Sequence, residues 1–501
     1  MRHAQDLWDD YRRLRIEAER QRLRADHTQA ALALLRTEVA DWIAAEDVLR
    51  PHSPDAVDRR SVEARIGGLV TRLRRFPEFV SDAELAATER FVEFVFACHR
   101  HTPSSLVAPG RTGFAFLVQM RLSADSLDYA DELVPLVPAM HYVPARLREP
   151  MMFGVPPYVA DTYEVDGQPG HLIVTPVFAA DAVGVDRSTF IRRARARTQD
   201  GIDLARRLGA RVIGLGGVLP SLTRYGQAVD ARGGVLTTGH AGTIRLVAAN
   251  VDRAVDRVGP SSTPVIGVLG LGSIGQSIAL WLTRRYGGEI AVIACDRDSA
   301  ARQRFFNRAT ATAGGGIAVT TSSDDLIARA NVIVSAVTDR IDLGDHPGDP
   351  SSRLVGTHII DDSQPFSFSP RQVVGQGGTV TWVIADTERN IRRHWYHYGT
   401  MADRHDHFFG CEVEAAVLTA EHHRLLAAGV APDAALSRLR ATAVRRAATL
   451  DDVATIGALF DAHGVGIAPP QTFAVAPAHR AEEPRPGRFD GIPAPDGGRR
   501  T

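Results

Sequence analysis

Three glycines, an acid and a cysteine are the residues of this chain whose types and spacing fit chemistry. Gly270, Gly272 and Gly275 stand at G-x-G-x-x-G spacing, and Asp296 follows 21 residues after the last of them. The first glycine suits a tight turn, the second lets backbone approach a pyrophosphate, and the third lets a helix pack closely on a strand. The pyrophosphate charge then rests on a helix N-terminus, at Ser273 and Ile274. Asp296 is placed to accept from a ribose 2′-hydroxyl, which favours NADH over NADPH, with Arg297 beside it for a 2′-phosphate.

The elements needed to hold these residues are readable around them. Val265 to Leu269 has the length and composition of a buried parallel strand. Ile274, Ile278 and Leu282 mark one helix face, and Gly287-Gly288 ends that helix. Ile290 to Cys295 is a second strand, ending at Asp296. The alternation continues with Ile317–Thr321, a helix Asp324–Ala330, then strands Val332–Val337, His358–Asp361 and Val380–Ala385. That pattern is a doubly wound parallel sheet, with ligands beyond its carboxyl ends, near Ser335 to Thr338 and Asp361. Thr338 joins the cofactor set on that ground.

Cys411 is the other candidate. His405-Asp406-His407-Phe408-Phe409-Gly410-Cys411-Glu412-Val413-Glu414 reads as the start of a helix running to about Leu426. Cys411, Glu414, Ala415, Leu418 and His422 then share a face. In the first turns a helix dipole lowers a thiol pKa, and His405 or His407 is placed to pair with the thiol or relay its proton. A small core cysteine fits the same pattern. His394, His397, His405 and His407 invite a metal reading, but the carboxylate or thiolate spacing of a zinc site is missing. Cys98, on an apolar run from Phe91 to Phe96, reads as core.

The remainder supplies context. The chain has 501 residues, enough for two or three domains. Its net charge of −1 argues against bulk nucleic-acid binding, and no apolar run reaches the ~18 residues of a membrane span. Three cysteines and a charged N-terminus fit a cytoplasmic protein without disulfides. All 58 basic residues are Arg, so a Schiff-base lysine and a P-loop lysine are excluded.

Residues 1–105 read as an Arg-rich helical extension, either an oligomerisation element or a solvated cap. Residues 106–258 read as an α/β substrate domain. It has a strand at Phe114–Val118, a helix at Ser123–Leu136, a hairpin around Asp166-Gly167 and a helix at Ser188–Leu208. Arg192, Arg193, Arg195, Arg197, Arg206 and Arg207 on that last helix form a dock for an acidic partner or a solvated face. Two Gly-rich turns follow, Gly214-Leu215-Gly216-Gly217 and Thr237-Thr238-Gly239-His240. They read equally as a second wall of one cleft or as tight loops between buried strands. The Rossmann part spans 259–390 and a helical segment with Cys411 spans 391–470. The tail 471–501 has a disordered composition.

The order of these pieces resembles the long-chain acyl-[acyl-carrier-protein] reductases of cyanobacteria. Gly214-Leu215-Gly216-Gly217 with Ser221 is similar to that family's Gly-rich turn, and Thr237-Thr238-Gly239 to its T-T-G-N element. Trp281-Leu282 follows the dinucleotide loop at the family's spacing. Ile360-Asp361 with Pro365 resembles its I-D-G-G-Y-P stretch, and Phe409-Gly410-Cys411 with Glu414-Ala415 its F-A-C-F-A-E-A element. Ile456-Gly457 and His463-Gly464 match its last helix, so the resemblance covers about residues 112–466.

It implies reduction of a fatty acyl thioester, carried by acyl carrier protein or coenzyme A, to an aldehyde. Cys411 would be the nucleophile, with Glu414, His407 and Ser221 beside it. Gly216, Gly217, Thr238, Gly239 and His240 would line the substrate site. The family's cofactor is NADPH. The chain departs from the family at Asp296, where the family has Arg. It departs again at His240, where the family has Asn, and at Asp362-Ser363-Gln364, where it has G-G-Y. The rival readings are an ordinary dehydrogenase of a small alcohol, amino acid or hydroxy acid with a structural Cys411, and a non-catalytic dinucleotide-binding scaffold.

Overall fold

The computed structural model describes residues 186–258, 263–286, 289–313, 317–337, 354–363, 367–387, 391–393 and 407–468. It also describes Ile341 and Leu343, 113–120, and most of 33–42, 59–96 and 140–178. Most of the N-terminal arm, the expected helix Ser123–Leu136, Cys98, Thr338, Pro365, His394, His397, His405 and the tail lie outside the described residues.

Helix α1 (Arg59–Leu73) buries Val62, Ile66, Leu69, Val70 and Leu73, one apolar stripe at helical spacing. The first sheet is built from β1 (Gly113–Met120), β2 (Tyr158–Val165) and β3 (Gln168–Phe178), joined after α2 (Arg187–Arg207) by β4 (Ala210–Leu215). The short α3 (Leu219–Leu222), β5 (Val235–Thr237) and the long α4 (His240–Val258) follow. Period-two alternation gives β1 two working faces. Phe114 and Phe116 enter the main core, whereas Ala115 and Leu117 pack with Ile202, Leu204 and Ala205 of α2. The hairpin forms as its sequence predicts: β2 and β3 pair antiparallel, with Val165 opposite Gln168 across Gly167 at φ +71.

The second sheet comprises β6 (Val265–Leu269), α5 (Ser273–Tyr286), β7 (Ala291–Cys295), α6 (Ser299–Ala313), β8 (Ile317–Thr320), α7 (Ser323–Arg329), β9 (Val332–Ser335), β10 (His358–Asp361), α8 (Pro370–Gly375) and β11 (Thr379–Trp382). Its order is β11-β10-β9-β6-β7-β8, all parallel. Read from the other edge this is 3-2-1-4-5-6, the two-halved mononucleotide-binding order with its switch point between β6 and β9. Core residues of α4, α5 and α6 cover one face and those of α7 and α8 the other. The expected α/β doubly wound sheet with a second α/β sheet is therefore what the chain forms.

Two expectations need correction. Val380–Ala385 is not one strand. It breaks at Val383, with β11 in the dinucleotide sheet and β12 (Ile384–Thr387) in a small antiparallel sheet. The cause is the partners: β12 pairs with β14 (His407–Phe409) and β15 (Val465–Ile467). The helix carrying Cys411 also starts later than its sequence suggests. It is α9 (Gly410–Ala427), because His407–Phe409 are first taken up as a strand. β13 (Ile391–Arg393) returns to pair with β2 at the edge of the first sheet.

The segment after 391 does not stand apart. α9 lies across β4, β1 and β2, and α10 (Pro432–Thr442) and α11 (Leu450–Ala462) pack around it and α4. One bond locks this packing: the Tyr163 hydroxyl of β2 donates to Glu412 Oε1 at 2.8 Å. The other carboxylate oxygen accepts from the Phe409 amide at 2.9 Å, capping α9. Replacing Tyr163 by Phe removes a donor from a buried carboxylate, so Tyr163→Phe is expected to lower unfolding free energy by about 1–3 kcal/mol in urea titration.

Candidate active site

The dinucleotide loop has the geometry its glycines imply. Gly270 has φ +87, and a Cβ there would lie 2.5 Å from the Ala336 carbonyl oxygen. The loop after β6 thus touches the loop after β9, at the switch point. A Cβ at Gly275 would lie 1.8 Å from the Gly270 carbonyl oxygen, so helix and strand meet with no space for a methyl. Around Gly272 a Cβ would meet nothing within 4 Å. The one glycine meant to face a ligand is the one with open space. Ser273 and Ile274 follow at the start of α5, half-buried.

Asp296 closes the loop from β7. Its Oδ2 accepts from the Leu271 amide at 2.7 Å and its Oδ1 from the Asp298 amide at 2.8 Å. The carboxylate is half-buried at the strand's end, where the ribose edge of a dinucleotide would lie. Arg297 beside it is exposed. These residues fit a dinucleotide.

Cys411 is the second residue of α9, half-buried and packed against the core. A Cβ at Gly239 would lie 2.3 Å from both Cα and Cβ of Cys411, so the T-T-G turn rests on the cysteine's backbone. Gly239 has φ +69, a conformation that glycine adopts freely. Gly410 repeats the contact on the other side: a Cβ there would lie 2.5 Å from the Thr243 Cα.

The turn is held by its neighbours too. The Thr237 hydroxyl donates to Glu414 Oε1, and the Gly242 amide donates to Glu414 Oε2 at 2.7 Å. The Thr238 amide and hydroxyl both donate to the Val444 carbonyl, at 3.0 and 3.1 Å. Glu414 is therefore the carboxylate that caps the start of α4 and anchors the turn. Thr238 is buried in that anchorage.

His240 is 6% exposed, meets the Tyr225 ring edge-on at 5.5 Å, and its Nδ1 has no hydrogen-bond partner. Burial pushes its pKa down to about 4, so the imidazole is neutral. Arg224 and Tyr225 hold φ of 51 and 58, two adjacent strained residues beside this histidine.

One sequence-based expectation is overturned. The thiol of Cys411 is pushed well above its ordinary pKa, not below it. Burial is the main cause, and the carboxylates of Glu412 and Asp362 add to it. The dipole at the second helical position is outweighed, and Cys411 rests as a thiol.

The other Gly-rich turn has a packing explanation. A Cβ at Gly216 would lie 2.4 Å from the Phe116 ring, and one at Gly217 2.1 Å from the Gln119 amide. The side chains of β1 require both glycines. Ser221 is exposed on α3, and no described bond joins it to Cys411. His407 lies on β14 with its backbone opposite Asp386. Among the described residues, no group of three or more His, Cys, Asp or Glu is placed to hold a metal. Nor is any described helix long and apolar enough to cross a membrane.

Sequence reading passed over Asp362. Following β10, it is half-buried, and its amide donates to the Ser335 carbonyl at 3.0 Å. Its only visible signal was an acid where the resembled family has glycine.

No family model matches the chain, and no curated protein matches it. Among solved structures, it is similar to a dipicolinate synthase subunit from Bacillus halodurans. That match has 12% identity and a TM-score of 0.23, over 36% of this chain and 60% of that one. The quinate dehydrogenase of Corynebacterium glutamicum in complex with NAD matches at 15% identity and a TM-score of 0.26, covering 66% of this chain and 98% of that one. The ligand-free 5-ketofructose reductase of a Gluconobacter species matches at 11% and 0.27, covering 70% and 99%. Scores this low carry no functional argument. The fold assignment rests on the strand order above, and the resemblance to acyl-thioester reductases on the sequence motifs.

Two variants separate ligand space from packing. Gly272→Ala is expected to leave the thermal midpoint unchanged while weakening NADH binding at least tenfold in calorimetric titration. Gly275→Ala is expected to lower the midpoint itself, by several degrees, since a backbone carbonyl must move.

Glu414 gives a pH prediction. Burial pushes its carboxyl up to about 7 against the Thr237 and Gly242 donors. A raised folded pKa means stability present below the unfolded value and lost as pH rises through about 7. Glu414→Gln is expected to remove about 3 kcal/mol of the wild type's stability loss between pH 4.5 and 8, measured by urea unfolding.

Proposed function

We propose that the chain is a nicotinamide-dinucleotide-dependent oxidoreductase that reduces a fatty acyl thioester to an aldehyde through an acyl-enzyme on Cys411. The observation that carries this reading is the seat of Cys411 under the T-T-G turn, where Gly239 touches its backbone. The helix that carries it packs on α4, which itself packs on β9 and β10 of the dinucleotide sheet. The other described cysteine, Cys295, is buried at the end of β7 with its thiol pushed up to about 11.

The chain's own residues have distinct tasks. Gly270, Gly272, Ser273, Ile274 and Gly275 would seat the pyrophosphate, and Asp296 the adenosine ribose, which favours NADH. The bound dinucleotide supplies a hydride. Cys411 exchanges with the incoming thioester, holding the acyl group on its sulfur and releasing the carrier thiol. Glu414 keeps the T-T-G turn pressed on Cys411, and His240, neutral, lines the same wall. The absence of lysine is no obstacle, since a thioester intermediate needs none.

The acyl carrier is an acyl carrier protein or coenzyme A. Arg192, Arg193 and Arg207 are exposed on α2 and form the candidate dock for an acidic carrier, whereas Arg195 and Arg206 are tied to backbone carbonyls. The protonated Cys411 favours one rival, an ordinary dehydrogenase in which this residue is structural.

Intact-protein mass spectrometry after incubation with a long-chain acyl-thioester, without cofactor, tests the reading. An acyl adduct is expected on the wild type and not on Cys411→Ser, discharged as aldehyde when NADH is added. Absence of any adduct, with dehydrogenase turnover retained in Cys411→Ala, would establish the rival.

A further inference from the structure

A buried chain of hydroxyls joins the carboxyl ends of β9 and β10. Ser335 ends β9 and Asp361 ends β10, side by side in the sheet. Ser335, Asp361, Ser363 and Ser367 are each no more than 3% exposed. The Asp361 carboxylate accepts from the amides of Ser363, Ser367 and Phe368 at 2.8–3.0 Å, and from the Ser367 hydroxyl at 3.1 Å. The Ser335 hydroxyl lies 2.6 Å from that of Ser367 and 3.2 Å from that of Ser363. At the far end the Val337 amide donates to the Ser363 hydroxyl oxygen at 3.2 Å.

The two ends fix the direction of every bond between them. An ionised carboxylate only accepts, an amide only donates, and each serine has one hydroxyl proton. Ser367 gives its proton to Asp361, so Ser335 must donate to Ser367. Ser335 has then spent its proton, so Ser363 donates to Ser335 while accepting from Val337. One ordered chain results, from Val337 through Ser363, Ser335 and Ser367 to Asp361. Polar groups buried at two strand ends cost solvation that an apolar plug would not. A fully satisfied network gives rigidity and a single arrangement in return.

What the chain holds still is the Val337 turn, and that turn abuts the dinucleotide loop. A Cβ on Gly270 would lie 2.5 Å from the Ala336 carbonyl oxygen and 2.9 Å from a Val337 methyl. The Ala336 amide donates to the Leu269 carbonyl at 2.9 Å, and the Ile341 amide to the Ser367 carbonyl at 2.8 Å. The segments leaving β9 and β10 are thus stitched into one wall. In this sheet β6, β7 and β8 form one mononucleotide-binding half, with Asp296 after β7, and β9, β10 and β11 form the other. A dinucleotide with its adenosine at Asp296 has its second nucleoside left for the half that this wall closes.

We propose that Asp361 is a positioning residue for the nicotinamide half of the cofactor, acting through Ser367, Ser335 and Ser363 on the Val337 turn. The inference rests on the dinucleotide-binding reading and not on the acyl-enzyme one.

The test is calorimetric titration at pH 8 with NADH and with ADP, which keeps the adenosine and two phosphates and lacks the nicotinamide riboside. Ser335→Ala removes the middle of the chain and leaves the three amides on Asp361. It is expected to weaken NADH about tenfold and to change ADP by less than about twofold. Ser363→Ala, which takes the Val337 amide out of the chain, is expected to repeat that pattern. Asp361→Asn, which turns an acceptor oxygen into a donor facing amides, is expected to weaken NADH further and to lower the thermal midpoint as well.

Equal weakening of both ligands in the two serine variants, or no change in either ligand, would overturn the proposal. So would a wild type that binds ADP as tightly as NADH. A wild type that binds neither ligand would remove the dinucleotide reading itself, and this inference with it.

Discussion

The contact between Gly239 and Cys411 is the constraint on which the cleft depends. With no side chain on the glycine, the end of β5 lies directly on the start of α9. Gly410 lets α9 approach the first turn of α4 just as closely. Two helix N-termini and a strand end therefore meet backbone to backbone, which leaves them little freedom to slide. α4 then runs from this junction to the first strand of the dinucleotide sheet and packs on β9 and β10. The relation of the cysteine to the switch point is thus carried by one 19-residue helix and two glycines.

The electrostatic character of the junction follows from its dryness. Cys411, Asp361, Asp362 and Glu414 are all displaced toward their protonated forms, and His240 toward its neutral form. Burial is the first cause in every case, ahead of any particular pairing. In such a place charge is stabilised by fixed dipoles rather than by solvent. The helix dipole at Cys411 is real but small beside this desolvation, which is why the thiol shift has the opposite sign to that expected from helix position.

Much of this was legible in the sequence because the signals are local. The strand, the three glycines, the helix stripe and Asp296 lie within 32 residues, and each glycine's role depends on neighbours a few positions away. The hairpin at Gly167 and the helix from His240 were readable for the same reason. Strand membership near Val383 was not, since whether Ile384 joins β11 or pairs with Phe409 is decided by residues far along the chain. Gly216 and Gly217 looked like a ligand loop, but Phe116 and Gln119, about a hundred residues earlier, occupy the space. Asp361 and Asp362 are indistinguishable as letters. Only the folded loop shows that one is surrounded by amides and the other is not.

The lysine-free composition bears on the charge state of the cysteine. Every fixed cation in this protein is a guanidinium, and many described ones are spent on backbone carbonyls: Arg195 on Leu222, Arg253 on Ala468, Arg440 on Gly234, Arg445 on Gly226. Arginine's planar fork suits such brace-like roles and does not give up its proton. The charged groups that do act on the thiol, Glu412 and Asp362, are both acids. A thiolate stabilised by a neighbouring cation is therefore not the resting state this arrangement favours. The neutral thiol is, and a cysteine held as a thiol is protected from adventitious oxidation.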